Sequence, residues 1–245
     1  MKYKLYAVGG HVRDHLLGIK SKDIDYSVII ENPELYKTPE GALVEFEKTI
    51  QEEGYEVFLS TPECFTIRAK FPKGTPNEGL VADFVLARKE EGYIKGTRTP
   101  KVVLGTLYDD LERRDFCLNA IAKDEQGNLI DPFNGQKDIL DKIIRTPNDT
   151  AISFNDDPLR IIRAMRFAIT KNLEWADELW RTIDVFDSKK MKVVSLERKR
   201  EELFKCFKHD TKKTLEYLRI IALSNYSLYL EILPDKIWLE PTTKQ

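Results

Sequence analysis

The sequence predicts an α+β head, a small mixed sheet with helices, followed by an all-helical neck. Short apolar or alternating runs broken by Gly and Pro recur as far as about Gly135. Past Asp138 the apolar spacing changes to that of helices, interrupted at Pro147 and near Val193-Val194. A basic stretch then follows the acidic first half. Between Ser188 and Lys213 there are ten Lys and Arg against four Asp and Glu.

The elements follow in order. Leu5 to Val8 reads as a strand, broken by Gly9-Gly10. Val12, Leu16 and Leu17 mark a short helix that Gly18 ends. Asp23 to Ile30 alternates and then runs apolar through Val28-Ile29-Ile30, as a strand entering a core does. Glu40 to Glu53 is helical, and Tyr55 to Leu59, Thr66 to Phe71 and Val81 to Leu86 are strands. Phe71 to Gly79 holds two Pro and two Gly and reads as a loop. The boundary between the α+β and helical parts falls between Asp138 and Thr150. The resulting division is 1–140 for the head, 141–210 for the neck and 211–245 for a short helical remnant of a body and tail. The stretch Leu230 to Gln245 has two Pro and ends polar.

Bulk properties narrow the class. The chain has 245 residues, 42% hydrophobic and 33% charged, with a formal net charge of -2. Its charge is uneven, which fits an acidic metal-binding half joined to a basic RNA-facing half. A solvated charged helix is the plainer reading of the basic run taken alone. Cys64, Cys117 and Cys206 are far apart and form no CxxC pair, so neither a zinc knuckle nor a disulfide framework is indicated. A reducing cytoplasm is the natural setting. His11 and His15 read as ordinary helix residues. The longest uncharged apolar stretch, Ile220 to Leu230, is too short to span a membrane.

Four constellations carry chemistry. Gly9-Gly10 between a strand and a helix lets backbone N–H groups approach a phosphate, and Arg13 can bind its oxygens bidentately. Asp23 and Asp25 lie two apart on a strand and so project from one face. Paired carboxylates there suit hard cations such as Mg²⁺. Asp83 is the one charge in Val81-Ala82-Asp83-Phe84-Val85, either a third carboxylate or a residue facing water on an edge strand. Arg113-Arg114-Asp115, with Asn119 four beyond Asp115, offers donors for phosphate and a polar pair for a ribose; the plainer reading is a helix start capped by Asp115. In Asn155 to Arg166, Pro158 suits a first helical position with Asp157 as its cap. Ile161, Ile162, Met165, Ala168 and Ile169 form one face of that helix, while Arg160, Arg163 and Arg166 wind along the other. A face of arginines alone supplies planar donors suited to base edges and phosphates.

In this order the segments resemble the class II CCA-adding enzyme and bacterial poly(A) polymerase family. The resemblance runs through Gly9-Gly10-His11-Val12-Arg13-Asp14 with Asp23-Ile24-Asp25, then Asp110-Leu111-Glu112-Arg113-Arg114-Asp115-Phe116 with Asn119-Ala120. It continues through Asp131-Pro132-Phe133-Asn134-Gly135 with Ile144-Arg145, Asp156-Asp157-Pro158-Leu159-Arg160 with Arg163 and Arg166, and Ser195-Leu196-Glu197-Arg198. It implies a nucleotidyltransferase head, a neck and a truncated body. By that resemblance Asp23 and Asp25 bind two Mg²⁺ ions, and Gly10 and Arg13 bind the incoming triphosphate, helped by Arg163 and Arg166. Arg114 contacts the nucleotide, Asp115 lies beside the ribose, and Asp157 and Arg160 read the base. The implied partners are CTP, ATP and a tRNA or other RNA 3′ end, with homo-oligomerisation left open. The implied reaction is CCA addition. A-adding, CC-adding and poly(A) polymerases are alternatives, decided at Asp157, Arg160 and the loop from roughly Phe71 to Arg98. A non-catalytic RNA-binding protein on the same fold has no use for clustered acids. The chain carries Asp156 and Cys117 where the family usually has Glu and Thr.

Overall fold

The computed structural model describes residues 1–19, 24–93 and 100–237, with side chains at 1–19, 24–89 and 102–237. Two compact units emerge. The first comprises Met1–Arg114 and Leu118–Gln136, and the second Asp115–Cys117 and Lys137–Gln245.

The first unit contains β1 (Tyr3–Val8), α1 (Gly10–Leu16), β2 (Ile24–Ile30), α2 (Pro39–Glu52), β3 (Glu56–Thr61), β4 (Thr66–Lys70) and β5 (Val81–Leu86). Then come β6 (Arg88–Tyr93), β7 (Pro100–Leu104), α3 (Leu107–Glu112), β8 (Ala122–Lys123) and β9 (Leu129–Ile130). Seven strands form one sheet in the order β3-β4-β5-β2-β1-β8-β9. β2 and β5 run parallel, with Asp25 opposite Asp83, and their other neighbours are antiparallel. Alternation sorts the faces of β5: Ala82, Phe84 and Leu86 are buried, while Val81, Asp83 and Val85 are half-buried.

The buried face packs on Ala42, Leu43, Phe46 and Ile50 of α2. Burying a side chain such as Phe46 or Phe84 completely contributes roughly 2 kcal/mol. Thr38 caps α2 by accepting from the Gly41 N–H at 3.2 Å, worth about 1 kcal/mol.

The charged run Arg88 to Tyr93 has no apolar alternation, yet it pairs with β7 as a separate antiparallel hairpin. This corrects the expected loop from Phe71 to Arg98, of which residues 94–99 lie outside the described residues. Backbone pairing and the non-strand-like sequence hid the hairpin from a reading by periodicity.

The second unit contains β10 (Ile143–Ile144), α5 (Thr150–Asp156), α6 (Leu159–Lys171), β11 (Glu174–Trp175), α7 (Asp177–Val185), α8 (Leu196–His209), α9 (Thr211–Ser224) and α10 (Tyr226–Ile232). A further helix, Gly135–Asp141, runs across the division in the chain. The neck is helical except for the parallel pair β10–β11, whose two-residue strands are too short to leave a period in the sequence. Val193 ends a 3₁₀ stretch, Ser188–Val193. α6 buries Ile161, Ile162, Met165, Ala168 and Ile169, the face its spacing predicts, and also Leu159, Ala164 and Phe167. Residues 115–117 join this unit by three contacts: Asp115 holds Arg163, Phe116 meets the Phe167 ring edge-on at 5.6 Å, and the Cys117 N–H donates to the Arg145 carbonyl at 2.8 Å.

Candidate active site

The first unit brings the Gly9-Gly10 turn, Asp25 and Arg114 together. Gly9 has φ +69° and ψ -136°, a backbone that side chains disfavour. A Cβ placed there would lie 2.9 Å from Nη1 of Arg114 and 3.7 Å from Oδ2 of Asp25. Only glycine therefore lets the guanidinium and the carboxylate approach the turn this closely.

Asp25 is half-buried on β2 and its register partner on β1 is Val8, the residue before the turn. On its other side, Asp83 of β5 faces the same way and is 32% exposed. Asp23 lies outside the described residues. Two carboxylates on one sheet face fit Mg²⁺, which takes one or two carboxylates and fills its remaining positions with water and substrate phosphate.

Arg13 and Arg114 are held by neighbours brought from elsewhere in the chain. Arg13 is buried; its Nη1 donates to Oδ1 of Asn119 at 2.7 Å and its Nε to Asp14 at 2.8 Å. Asn119, which the sequence offers as part of a polar pair for a ribose, thus also holds the Arg13 guanidinium. Arg114 donates through Nη2 to Oδ2 of Asp110 at 2.9 Å, and Arg113 pairs with the other oxygen. Among the described residues the buried Nε of Arg114 has no protein acceptor. Asp110 is 1% exposed. Burial pushes its carboxyl up, but Arg114 and Arg113 outweigh that and hold it below the ordinary carboxylate value. The sequence places Asp110 in the motif that opens Asp110-Leu111 but gives it no role. Its signal was the i, i+3 and i, i+4 spacing to the two arginines.

The second unit brings together Asp115, Asp157, Arg160, Arg163 and Arg166. Oδ2 of Asp115 accepts from both Nε and Nη2 of Arg163, at 3.0 and 2.5 Å, so one carboxylate oxygen holds two arms of the guanidinium fork. Burial lowers the Arg163 pKa, but Asp115 overcomes it and raises the group overall. Asp115 is therefore an anchor and not the cap of a helix at Phe116; α3 has already ended at Glu112.

Arg166 pairs with Glu202 of α8, and its guanidinium sits 4.1 Å above the Phe167 ring. Glu202 is buried, which pushes its carboxyl up, yet Arg166 and then Arg163 hold it below its ordinary value. The arginine side, which the sequence sets opposite the apolar face, is thus partly a packing seam against α8.

Asp157 and Arg160 are bound more loosely. Asp157 accepts from the Leu159 N–H at 3.2 Å and stands 3.6 Å from Nη2 of Arg198. The expected cap is corrected: α6 begins at Leu159 with Pro158 as its N-cap, so Asp157 lies one residue before the cap and closes the end of α5. Nη1 of Arg160 donates to the Ser153 hydroxyl at 2.6 Å. Burial pulls the Arg160 pKa down.

Among the described residues, no group of three or more His, Cys, Asp or Glu could hold a metal ion, and no helix is long and apolar enough to cross a membrane. Cys64 is exposed, Cys117 and Cys206 are buried, and all three are free thiols.

Comparison with known proteins agrees with this layout. Residues 5–145 match the family described as the poly A polymerase head domain. A CCA-adding enzyme of Francisella tularensis is 33% identical over 97% of this chain and 61% of its own length. One from Staphylococcus aureus is 34% identical over 94% of this chain and 52% of its own. The Bacillus stearothermophilus CCA-adding enzyme in complex with CTP superposes with a TM-score of 0.70 at 27% identity, covering 92% of this chain and 49% of that one. A tRNA nucleotidyltransferase complexed with a primer tRNA and an incoming ATP analog gives 0.66 at 30% identity, covering 95% and 60%. The chain spans about half to three fifths of the length of these relatives. Its mixed sheet, helical second part and matched head segment establish that the chain belongs to the poly A polymerase head domain family.

Proposed function

We propose that this protein is a Mg²⁺-dependent, template-independent nucleotidyltransferase that adds C and A from CTP and ATP to tRNA 3′ ends in the cytoplasm. The observation that carries the chemistry is the convergence of Gly9, Arg114 and Asp25, with Asp83 on the neighbouring strand. The likeness to CCA-adding enzymes supports CCA addition over A-only, CC-only or poly(A) addition.

In this reading the triphosphate lies against the Gly9-Gly10 turn, with Gly10, Arg13 and Arg114 binding its oxygens. Asp25, with Asp23 beside it in sequence, holds the metal ions. Bound Mg²⁺ supplies positive charge that acidifies the attacking hydroxyl and stabilises the leaving pyrophosphate. The 3′ oxygen of the acceptor bonds to the α-phosphorus while the bond to the β-phosphate oxygen breaks. The hydroxyl proton passes to a carboxylate or to water. Asn119 keeps Arg13, and Asp110 keeps Arg114, from following the departing pyrophosphate.

Base choice is assigned to Asp157 and Arg160: Asp157 is about one third exposed with Arg198 no closer than 3.6 Å, and Arg160 reaches the Ser153 hydroxyl, a neutral acceptor. A wrong base leaves one of these polar groups without a partner, which discriminates far better than shape alone. Arg163 and Arg166 are assigned a supporting role toward the nucleotide. Asp115 and Glu202 already use part of their donor sets, so each contributes through its remaining N–H groups.

The test is extension of a tRNA lacking its 3′ CCA with Mg²⁺ and all four nucleoside triphosphates, with products sequenced. A CCA end supports the proposal. A lone A, a lone CC or an A tract keeps the chemistry and overturns the product assignment. No extension on any RNA acceptor, with or without Mn²⁺ in place of Mg²⁺, overturns the enzyme reading.

A further inference from the structure

The strand order fixes which side of the metal-binding carboxylate faces which reactant. β2, carrying Asp25, lies between β1, which leads into the Gly9-Gly10 turn, and β5, which carries Asp83. Next to β5 is β4, where Arg68 is the register partner of Asp83. Asp25, Asp83 and Arg68 therefore form a row across one sheet face. Beyond Arg68 the row reaches Leu59 on the edge strand β3.

Phosphoryl transfer requires the attacking and leaving oxygens to stand roughly in line through the phosphorus. With the triphosphate on the Gly9 and Arg114 side of Asp25, the acceptor hydroxyl must come from the opposite side. That is the side of Asp83 and Arg68. The acceptor's last phosphate lies about one nucleotide from its 3′ oxygen, and so above β5 and β4 and not above β1.

Arg68 is a cation on that side. It is 48% exposed and stands 3.5 Å from Asp83, a long contact for an ion pair. Its neighbour on the same face of β4, Lys70, is instead closed against Glu56 at 2.7 Å. Leu59 is 57% exposed beside Arg68 and offers apolar surface for a terminal base.

We infer that Arg68 binds the phosphate before the 3′-terminal nucleotide of the RNA acceptor, making β3–β4 the acceptor track of the active site. The inference rests on the proposed nucleotidyl transfer for its direction, but binding of RNA can be measured apart from transfer. Arg68 is a positioning residue. In the present structure the Asp83 carboxylate, 3.5 Å away, is the anion beside its guanidinium, a place that the acceptor phosphate would share.

The experiment compares wild type, Arg68→Ala and Arg68→Lys in the full chain. Acceptor KM, CTP KM and kcat are read at saturating partner. Dissociation of a tRNA lacking CCA is read without nucleotide across a salt series. Arg68→Ala is expected to raise the acceptor KM and Kd about five- to tenfold, with the CTP KM changed less than about twofold. The slope of log Kd against log salt should fall by about 0.7, one single-strand phosphate contact. Arg68→Lys should recover most of the loss in affinity, because a point charge still meets a phosphate. An unchanged acceptor Kd and salt slope overturn the assignment. So does a loss confined to kcat or to CTP, which would place Arg68 with Asp83 and not with RNA. If wild type binds the acceptor but transfers nothing, the catalytic reading fails while the binding arm still decides for or against Arg68.

Discussion

Replacing Gly9 by Ala isolates the one backbone position on which the active-site turn depends. Two costs add. The first is conformational: φ +69° with ψ -136° is a region that an alanine enters at roughly 1–3 kcal/mol. The second is steric: the new methyl would lie 2.9 Å from Nη1 of Arg114, so that guanidinium must swing away. The swing is cheap for stability, since the atom is the tip of a long side chain, but it pulls against the 2.9 Å bond to Asp110. The expected destabilisation is about 2 kcal/mol, or a fall of roughly 4–8 °C in melting temperature. The loss in transfer should exceed that, because a displaced Arg114 no longer meets the triphosphate. Gly10→Ala is the control for strain. Its φ is ordinary and the nearest atom to an added Cβ is Nη2 of Arg13 at 3.5 Å, so the fold should be unchanged or slightly firmer. Thermal unfolding followed by tryptophan fluorescence, with CTP incorporation on the same preparations, measures both. A Gly9→Ala protein that melts with wild type and binds CTP equally well would refute the reasoning, since neither the strain nor the close approach would then matter.

Asp25→Ala should abolish transfer, and Asp23→Ala likewise, with circular dichroism unchanged; activity in either variant removes the metal assignment. Arg160→Ala should blur the choice between CTP and ATP more than it weakens RNA binding, and unaltered discrimination in competition assays would sink the base-reading role. Asp110 and Glu202 both titrate below their ordinary values in the fold, so each stabilises it above about pH 4 and loses that contribution as pH falls through the depressed value. Asp110→Asn should therefore flatten the acid limb of stability measured by urea unfolding between roughly pH 2 and 5; an acid limb as steep as wild type counts against a depressed Asp110. Asp115→Asn leaves the largely buried Arg163 with a weaker acceptor and should cost about 1–3 kcal/mol by the same urea measurement, and a neutral result would mean that the fork in the structure contributes nothing.

Much of this was readable from residue order. Strands β1, β2, β4 and β5 follow from apolar runs that sit on a helix on one face, and α6 follows from a period that its buried residues obey. The pair Asp25 and Asp83 is harder. Their sequence separation gives no hint that β2 and β5 are parallel neighbours in register, a fact set by the crossover through α2, β3 and β4. The β6–β7 hairpin stayed hidden because Arg88 to Tyr93 reads as a solvated run. Asn119 reads as a polar group in the sequence, but only the fold shows that, 106 positions from Arg13, it accepts that residue's hydrogen bond.

The acids and arginines also divide in a way that sequence does not show. Asp110, Asp115, Asp138 and Glu202 are buried or nearly so, and each holds an arginine through a short hydrogen bond or ion pair. Such groups are committed: removing one strands a charge, and ligand binding gains little by breaking a bond that is already desolvated. Asp83 and Asp157 are about one third exposed, and their arginine partners stand at 3.5 and 3.6 Å. An ion or a base edge can replace those contacts without a large penalty, since a partly solvated ion pair is worth at most about 1 kcal/mol. Arg166 is likewise fixed, on Glu202 and the Phe167 ring. On this argument the scaffold of the site is its tightest ion pairs, and ligand recognition falls to the charges whose pairing is loose. Double-mutant cycles should therefore find strong coupling for Arg114 with Asp110, and coupling near zero for Arg198 with Asp157 in the nucleotide-free protein.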